Sequence, residues 1–199
     1  LRSAKAHFGF TSAGKLAHVR PHFTFYGFRF VRVTGIETVH PADFTAYVIH
    51  SDLERTGFLE TSNAKVNRLI QNAWWGQRGN FVDVPTDCPQ RDERLGWTGD
   101  AEVFAPTASF NMDTAAFYRK YLYDMALEQA TLGGAVPFVV PDVLGQIHRH
   151  FGEENHDYGS CAWADAAVMI PWTLYRFYGD KSMLAEQFPQ MMAWVDWVE

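Results

Sequence analysis

The chain has 199 residues, a formal net charge of −6 and a hydrophobic fraction of 47%. This length suits one large domain or a domain and a fraction, and the composition is that of a globular protein with a substantial core. The acidic balance removes the electrostatic attraction on which nucleic-acid binding depends, and no apolar run approaches the roughly 20 residues of a membrane span. Two distant cysteines make neither a disulfide framework nor a zinc site. We therefore expect no nucleic-acid partner, no membrane and no metal, whereas compartment and oligomeric state stay open.

The first fifty residues have the pattern of β-strands. Residues 22–35 (HFTFYGFRFVRVTG) alternate phenylalanine and valine with polar residues and end at a glycine, and residues 44–52 (FTAYVIHSD) form a second candidate. These strands are too few for an independent β domain. Residues 1–58 are therefore expected to be the end of a β domain and a linker.

From Ser62 onward the apolar residues recur at helical spacing. The predicted helices lie at residues 62–79, 100–110, 113–132, 162–178 and 182–199. Pro106 is expected to kink the second of them, and residues 148–160 (HRHFGEENHDYGS) are expected to form a polar loop. Helices alternating with long loops suit a helical barrel better than a compact bundle. Because the chain stops inside an apolar helical pattern (MMAWVDWVE), it is expected to be a fragment of a longer protein.

The stretch DVPTDCPQRDERLGWTGD, residues 83–100, combines acids, arginines and a tryptophan with prolines and glycines. A buried structural segment would not carry five acids unless each had a partner. Sugar-cleaving sites use paired carboxyl groups, with further acids and arginines that bind hydroxyls. The candidates for these roles are Asp87, Asp92, Glu93, Asp100, Arg91, Arg94 and Trp97. Structural ion pairing around Arg94 and calcium binding by the acids are the alternatives.

The longer stretch DVPTDCPQRDERLGWTGDAEVFAPTASFNMD, residues 83–113, resembles the signature of bacterial α-L-rhamnosidases of glycoside hydrolase family 78. The resemblance continues in residues 25–35 (FYGFRFVRVTG), 51–81 (SDLERTGFLETSNAKVNRLIQNAWWGQRGNF) and 161–180 (CAWADAAVMIPWTLYRFYGD). It implies a mainly α fold: the N-terminal part of an (α/α)6 barrel in residues 59–199, preceded by a remnant of a β-sandwich domain. The implied reaction is inverting release of terminal α-L-rhamnose from glycosides or polysaccharides, without a cofactor.

The resemblance also implies a role for individual side chains. They are the general acid Glu93, the hydroxyl-binding residues Asp87, Arg91 and Asp100, and the aromatic walls Trp97 and Trp163 of the sugar pocket. The general base of the family is a glutamate downstream of the residues present here, so the chain alone is expected to be inactive or nearly so. Glu153 and Glu154 are the remaining candidates for a base, against a loop that only lines the substrate or contacts solvent.

Other functions fit parts of the same pattern. A rhamnose-binding module without catalysis would use the same acids and tryptophans, and so would an inverting barrel glycosidase specific for another sugar. His148, His150 and His156 invite a metal interpretation, but their spacing matches no zinc pattern. Cys88 has no histidine near it in sequence to activate it as a nucleophile. The nature of the group attached to rhamnose does not follow from the sequence.

Overall fold

The computed structural model describes residues 5–154 and 156–199, and most of the ordered secondary structure in them is helical. The helices are α1 (Ala64–Asn80), α2 (Thr98–Asn111), α3 (Ala115–Thr131), α4 (Val143–Phe151), α5 (Ala166–Tyr178) and α6 (Lys181–Val198). A short antiparallel hairpin, β1 (Phe81–Val82) and β2 (Val84–Pro85), follows α1, and a 3-10 turn covers Pro41–Asp43. Among the described helices, none combines the length and apolar character that a membrane span requires.

The helix ends follow from local sequence. The side chain of Asn63 accepts hydrogen bonds from the N–H groups of Lys65 and Val66 at the start of α1, which satisfies donors that the first turn leaves unpaired. Asp180 does the same at the start of α6. Gly179 ends α5 in the left-handed conformation, with φ 67°, which glycine adopts without strain. The five predicted helices are therefore present within a few residues of their expected ends, and α2 continues through Pro106.

The core lies where α5 packs against α2, α3 and α6. Alanines on α2, among them Ala105 and Ala108, are buried completely and allow the helices to approach closely. Larger side chains of α3 and α5 fill the remaining space, and Phe81 from the hairpin stacks on Phe117 with ring centroids 4.5 Å apart. The hairpin is thus fixed against the core, and the segment that follows it starts from a defined position.

The predicted strands of the first fifty residues are not formed. Residues 5–50 contain no strand in the described chain, and their large apolar side chains, such as Phe23, Phe30 and Tyr47, are exposed. An alternating pattern becomes a strand only when a neighbour completes its hydrogen bonds, and these segments have no such neighbour among the described residues. The segment does contact the acid-rich loop, because Arg94 Nη1 donates to the carbonyl of Phe25 at 3.3 Å.

The predicted loop at residues 148–160 is wrong in its first part. Helix α4 extends to Phe151 and ends at Gly152, whose φ is 71°. The side chain of Asp142 caps this helix by accepting from the N–H of Gly145 at 2.9 Å. The prolines just upstream obscure the helical pattern, although a proline that precedes an N-cap aspartate is compatible with a helix start.

The tryptophans of α1 and α6 differ in burial. Trp194 is buried, whereas Trp75 and Trp197 remain more than 40% exposed. Helical spacing places all of them on apolar faces, but it does not tell which part of a face is covered.

Candidate active site

The acid-rich loop begins from the hairpin after α1. Asp83 occupies the turn with φ 68°, and its carboxylate binds Lys120 Nζ of α3 at 3.0 Å. The hydroxyl of Thr86 donates to the carbonyl of Asn80 at 2.8 Å. These contacts tie the start of the loop to the end of α1 and to α3.

The end of the loop is held by buried backbone contacts at Gly96. Its carbonyl accepts from the N–H of Val140 at 2.9 Å and from the hydroxyl of Tyr121 at 2.8 Å. A Cβ at this position would lie 2.3 Å from the carbonyl oxygen of Val140, so only glycine fits. Trp97 then occupies the N-cap position of α2, which directs the following residues into the helix.

Between these anchors, three acidic or thiol side chains converge. The buried thiol of Cys88 donates to Asp87 Oδ2 at 3.0 Å and lies 3.6 Å from Glu93 Oε2. The ligand atoms of Asp87, Cys88 and Glu93 all lie within 4.8 Å of one another. Arg91 Nη2 binds Glu93 Oε2 at 3.1 Å. Burial, and then the bond to Asp87, raises the pKa of the Cys88 thiol, so the proton stays on sulfur.

A cleft of about 580 Å³ opens beside this cluster. Asp87, Asp100 and Trp163 line it together with residues of α1 and α2. Asp87 Oδ1 is a buried oxygen without a hydrogen-bond partner among the described residues. The pKa of Asp100 is raised, first by its partial burial and then by the charge of Asp87. The cleft therefore offers a carboxyl oxygen of Asp87 without a partner in the described chain and, at Asp100, a carboxyl group of raised pKa.

The aromatic wall of the cleft is Trp163. Its indole ring lies over Gly99 of α2, where a Cβ would approach the ring to 3.0 Å, and its centroid is 6.2 Å from that of Phe138. The side chain remains 40% exposed. An indole that packs on its neighbours and is still partly exposed in the cleft is suited to stacking on the apolar face of a sugar.

The structure thus brings most of the predicted site residues together. Asp87, Asp100 and Trp163 line the cleft, and Glu93 and Arg91 join Asp87 through Cys88. Trp97 is half-buried and is not among the residues that line the cleft, and its Nε1 has no hydrogen-bond partner within the described chain.

The candidate bases Glu153 and Glu154 pair with histidines. Glu153 Oε2 lies 3.1 Å from His148 Nδ1, and Glu154 Oε2 lies 3.5 Å from His156 Nε2. Asp157 contacts the other ring nitrogen of His148 at 2.9 Å, and its hydrogen bond, followed by that of Glu153, raises the pKa of His148. In residues 5–154 and 156–199, Asp87, Cys88 and Glu93 form the one converging group of three potential metal ligands. The histidines do not form such a group.

Two carboxyl groups that do not line the cleft, those of Glu102 and Asp165, have no counterpart in the sequence predictions. Glu102 of α2 has a buried oxygen without a hydrogen-bond partner in the described structure. Burial, and then the charge of Asp165, raises its pKa to about 7. Asp165 stands at the start of α5, far from Glu102 in sequence, and only the packing of the helices brings the two groups together. Helical periodicity on α2 alone therefore could not identify the pair.

Comparison with known proteins decides the family. The family model of the bacterial alpha-L-rhamnosidase 6 hairpin glycosidase domain matches residues 54–199. The chain belongs to the bacterial α-L-rhamnosidase family. The model of the bacterial alpha-L-rhamnosidase concanavalin-like domain matches residues 1–50. The predicted fold class, mainly α with the N-terminal part of an (α/α)6 barrel, is confirmed by these matches and by the solved relatives below.

Individual rhamnosidases show how much of a relative the chain represents. An alpha-L-rhamnosidase of Streptomyces avermitilis is 43% identical over the whole chain, which spans 18% of that protein. An alpha-L-rhamnosidase from Formosa agariphila is 42% identical over 88% of the chain, and the matched part covers 18% of that protein. The chain therefore corresponds to less than a fifth of these relatives.

Two solved structures share the fold. The native rhamnosidase of Aspergillus terreus matches 74% of the chain with 45% identity and a TM-score of 0.64, and 16% of its own length is covered. The Streptomyces avermitilis rhamnosidase complexed with L-rhamnose matches 74% of the chain with 44% identity and a TM-score of 0.66, and 13% of its length is covered.

Proposed function

We propose that this chain is part of an inverting α-L-rhamnosidase that releases terminal α-L-rhamnose from glycosides or polysaccharides, and that it carries the general-acid half of the site. Membership of the family and the relative solved with L-rhamnose support this proposal. The observation that carries it is the convergence of Asp87, Cys88 and Glu93 beside a cleft with an aromatic wall. We further propose residues 1–58 and 59–199 as the two structural units.

In this proposal Glu93 donates a proton to the glycosidic oxygen as the bond to the anomeric carbon breaks. Arg91, 3.1 Å from Glu93 Oε2, fixes the orientation of the carboxyl group. Asp87 presents its unpartnered Oδ1 to a rhamnose hydroxyl, and Asp100 accepts from another. Trp163, and Trp97 once substrate is bound, supply the apolar surface for the ring and for the methyl group of this deoxy sugar.

Inversion also needs a base that activates water on the opposite face of the sugar, with the two carboxyl groups roughly 6.5–9.5 Å apart. Asp87 is too close to Glu93 for that role, since their ligand atoms lie within 4.8 Å. Glu153 and Glu154 pair with His148 and His156. We therefore propose none of these acids as the base, and we expect the 199-residue chain by itself to be inactive or nearly so.

The test is hydrolysis of an aryl α-L-rhamnoside by the longest natural polypeptide that contains this chain, with NMR of the first-released anomer. Release of β-L-rhamnose would support inversion, whereas the α anomer would contradict it. Glu93→Gln is expected to lower kcat about 10²–10⁴-fold while rhamnose binding persists. The exposed Glu60→Gln is the matched control and is expected to leave turnover unchanged.

Two further outcomes would change the proposal. Binding of rhamnose without turnover in the unsubstituted polypeptide would favour a rhamnose-binding module instead. Turnover of another aryl glycoside in preference to the rhamnoside would indicate a different sugar specificity on the same barrel. For the isolated 199-residue chain, hydrolysis at an ordinary glycosidase rate would show that its own residues supply the base.

A further inference from the structure

A carboxylate at the end of the turn that carries Trp163 bonds to the backbone of that turn. Residues 161–165 form consecutive turns before α5, and Ala162 adopts φ 73°, a left-handed conformation that costs energy for a residue with a Cβ. Asp165 Oδ2 accepts from the N–H of Ala162 at 2.8 Å. This bond closes the turn and offsets the backbone strain directly beside Trp163.

The second oxygen of the same carboxylate reaches a different helix. Asp165 Oδ1 accepts from Trp194 Nε1 of α6 at 3.0 Å. Trp194 is only 3% exposed, so its indole is a fixed donor. Charge-assisted hydrogen bonds of this kind are stronger than neutral ones. Asp165 therefore links the turn at the cleft to the buried packing of α6.

The ring of Trp163 has few other constraints. It rests on Gly99 and beside Phe138, but the residue is 40% exposed and its side chain makes no hydrogen bond to the described residues. Its orientation over Gly99 thus depends on where the backbone of the turn places its Cα. That backbone is held by the bond from the Ala162 N–H to Asp165 and by backbone bonds, among them that from the Ala164 N–H to the carbonyl of Ser160 at 2.8 Å.

We propose that Asp165 is a positioning residue, which places the indole of Trp163 over Gly99 so that the ring forms the sugar-facing wall of the cleft. The role in sugar binding rests on the proposed function, whereas the placement of the ring does not. Asp165 itself lies behind the wall, with both carboxylate oxygens engaged by Ala162 and Trp194, and acts on the sugar only through Trp163.

The experiment compares Asp165→Ala and Asp165→Asn with the unsubstituted chain by NMR and by titration with L-rhamnose. The nuclear Overhauser contact between the Trp163 ring and the Gly99 Hα protons is expected in the unsubstituted chain and is expected to be lost in Asp165→Ala. Affinity for L-rhamnose is expected to fall about tenfold, because two charge-assisted hydrogen bonds that set the wall are removed. Asp165→Asn keeps one acceptor oxygen and folds with less disturbance, so it is expected to show the same changes in smaller measure.

Asp180→Ala is the matched control. Asp180 also stands at the start of a helix, and its carboxylate accepts from the N–H groups of Ser182 and Met183, but it does not line the cleft. This variant is expected to lose stability without losing the ring contact or affinity for rhamnose.

Retention of the Trp163–Gly99 contact in both folded Asp165 variants would overturn the proposal, since packing alone would then hold the ring. Loss of that contact without any change in rhamnose affinity would overturn the role of the wall in sugar binding. If the unsubstituted chain does not bind L-rhamnose, the proposed function fails, and the ring contact still decides whether Asp165 positions Trp163.

Discussion

Replacement of Glu102 by glutamine is expected to stabilise the folded chain near neutral pH and above, and to have little effect in acid. Glu102 is partly buried, one of its oxygens has no partner in the described chain, and its pKa is raised from the ordinary value of 4.5 to about 7. Burial is the larger cause and the charge of Asp165 the smaller one. Above that pKa the folded protein holds a carboxylate in an unfavourable place, which glutamine removes.

The direction of the pH effect follows from the two states. Below about pH 4.5 the group is protonated in both the folded and the unfolded chain and contributes nothing to the difference. Between about pH 4.5 and 7 the unfolded chain releases the proton while the folded chain retains it, so the free energy of unfolding falls as pH rises. Above about pH 7 the loss is complete.

The size of the effect has a ceiling. A rise in pKa from 4.5 to about 7, at 1.36 kcal/mol for each pH unit, corresponds to about 3.4 kcal/mol. Solvent reaches part of this carboxyl group and screens its charge, so we expect about 1–2 kcal/mol in favour of Glu102→Gln at pH 8. Asp165→Asn should remove only the smaller cause of the shift, so the pKa of Glu102 should stay raised by burial in that variant.

Urea unfolding of the unsubstituted chain and of Glu102→Gln, at a series of pH values from about 4 to 8, measures the difference in their free energies of unfolding directly. The exposed Glu60→Gln serves as the control for a charge-neutralising surface change, which is expected to alter stability by no more than about 0.5 kcal/mol. A stability difference for Glu102→Gln that stays constant across this pH range would refute the reasoning, since the ionisation of Glu102 must make the difference depend on pH.

Three further substitutions or modifications test the framework of the cleft. Tyr121→Phe removes the buried hydroxyl that binds a loop carbonyl and is expected to destabilise the chain by about 1 kcal/mol in urea unfolding; unchanged stability would contradict a role in holding the loop. Gly99→Ala places a Cβ 3.0 Å from the Trp163 ring and is expected to weaken L-rhamnose binding several-fold in calorimetric titration, even though alanine favours the helix. Full affinity would contradict the conclusion that the close contact with Gly99 places the ring. Iodoacetamide is expected to alkylate the exposed Cys161 but not the buried Cys88 in the native chain, as read by peptide mass mapping, and rapid labelling of Cys88 would disprove its burial.

The helical part of the fold could be predicted because its signals are local. Capping residues such as Asn63 and Asp180 satisfy the first N–H groups of their helices, and Gly179 permits the left-handed end of α5, so each boundary is encoded within a few residues. The strands of the first fifty residues failed for the opposite reason. Their hydrogen bonds depend on a partner strand, and an alternating pattern does not contain that partner.

The residue types of the candidate site could also be predicted, because most of them lie in one short stretch of sequence. The Asp83–Asp100 stretch places acids, arginines and glycines close together in sequence. In the structure Asp87 and Asp100 of this stretch line one cleft together with Trp163. The necessity of Gly96 is different, because it arises from the carbonyl of Val140, which a Cβ would approach to 2.3 Å. Residues far apart in sequence had to pack before that constraint existed.

The sequence by itself determined the bounds of the helices other than α4 to within a few residues, the family resemblance and the carboxylate-rich chemistry, since each depends on neighbouring residues. Only the tertiary structure decided how those carboxyl groups behave. Cys88 separates Asp87 from Glu93, and Glu102 meets the charge of Asp165 from another helix. The protonation of a carboxyl group depends on burial and on the nearest charges in space, and neither quantity exists until the chain is folded.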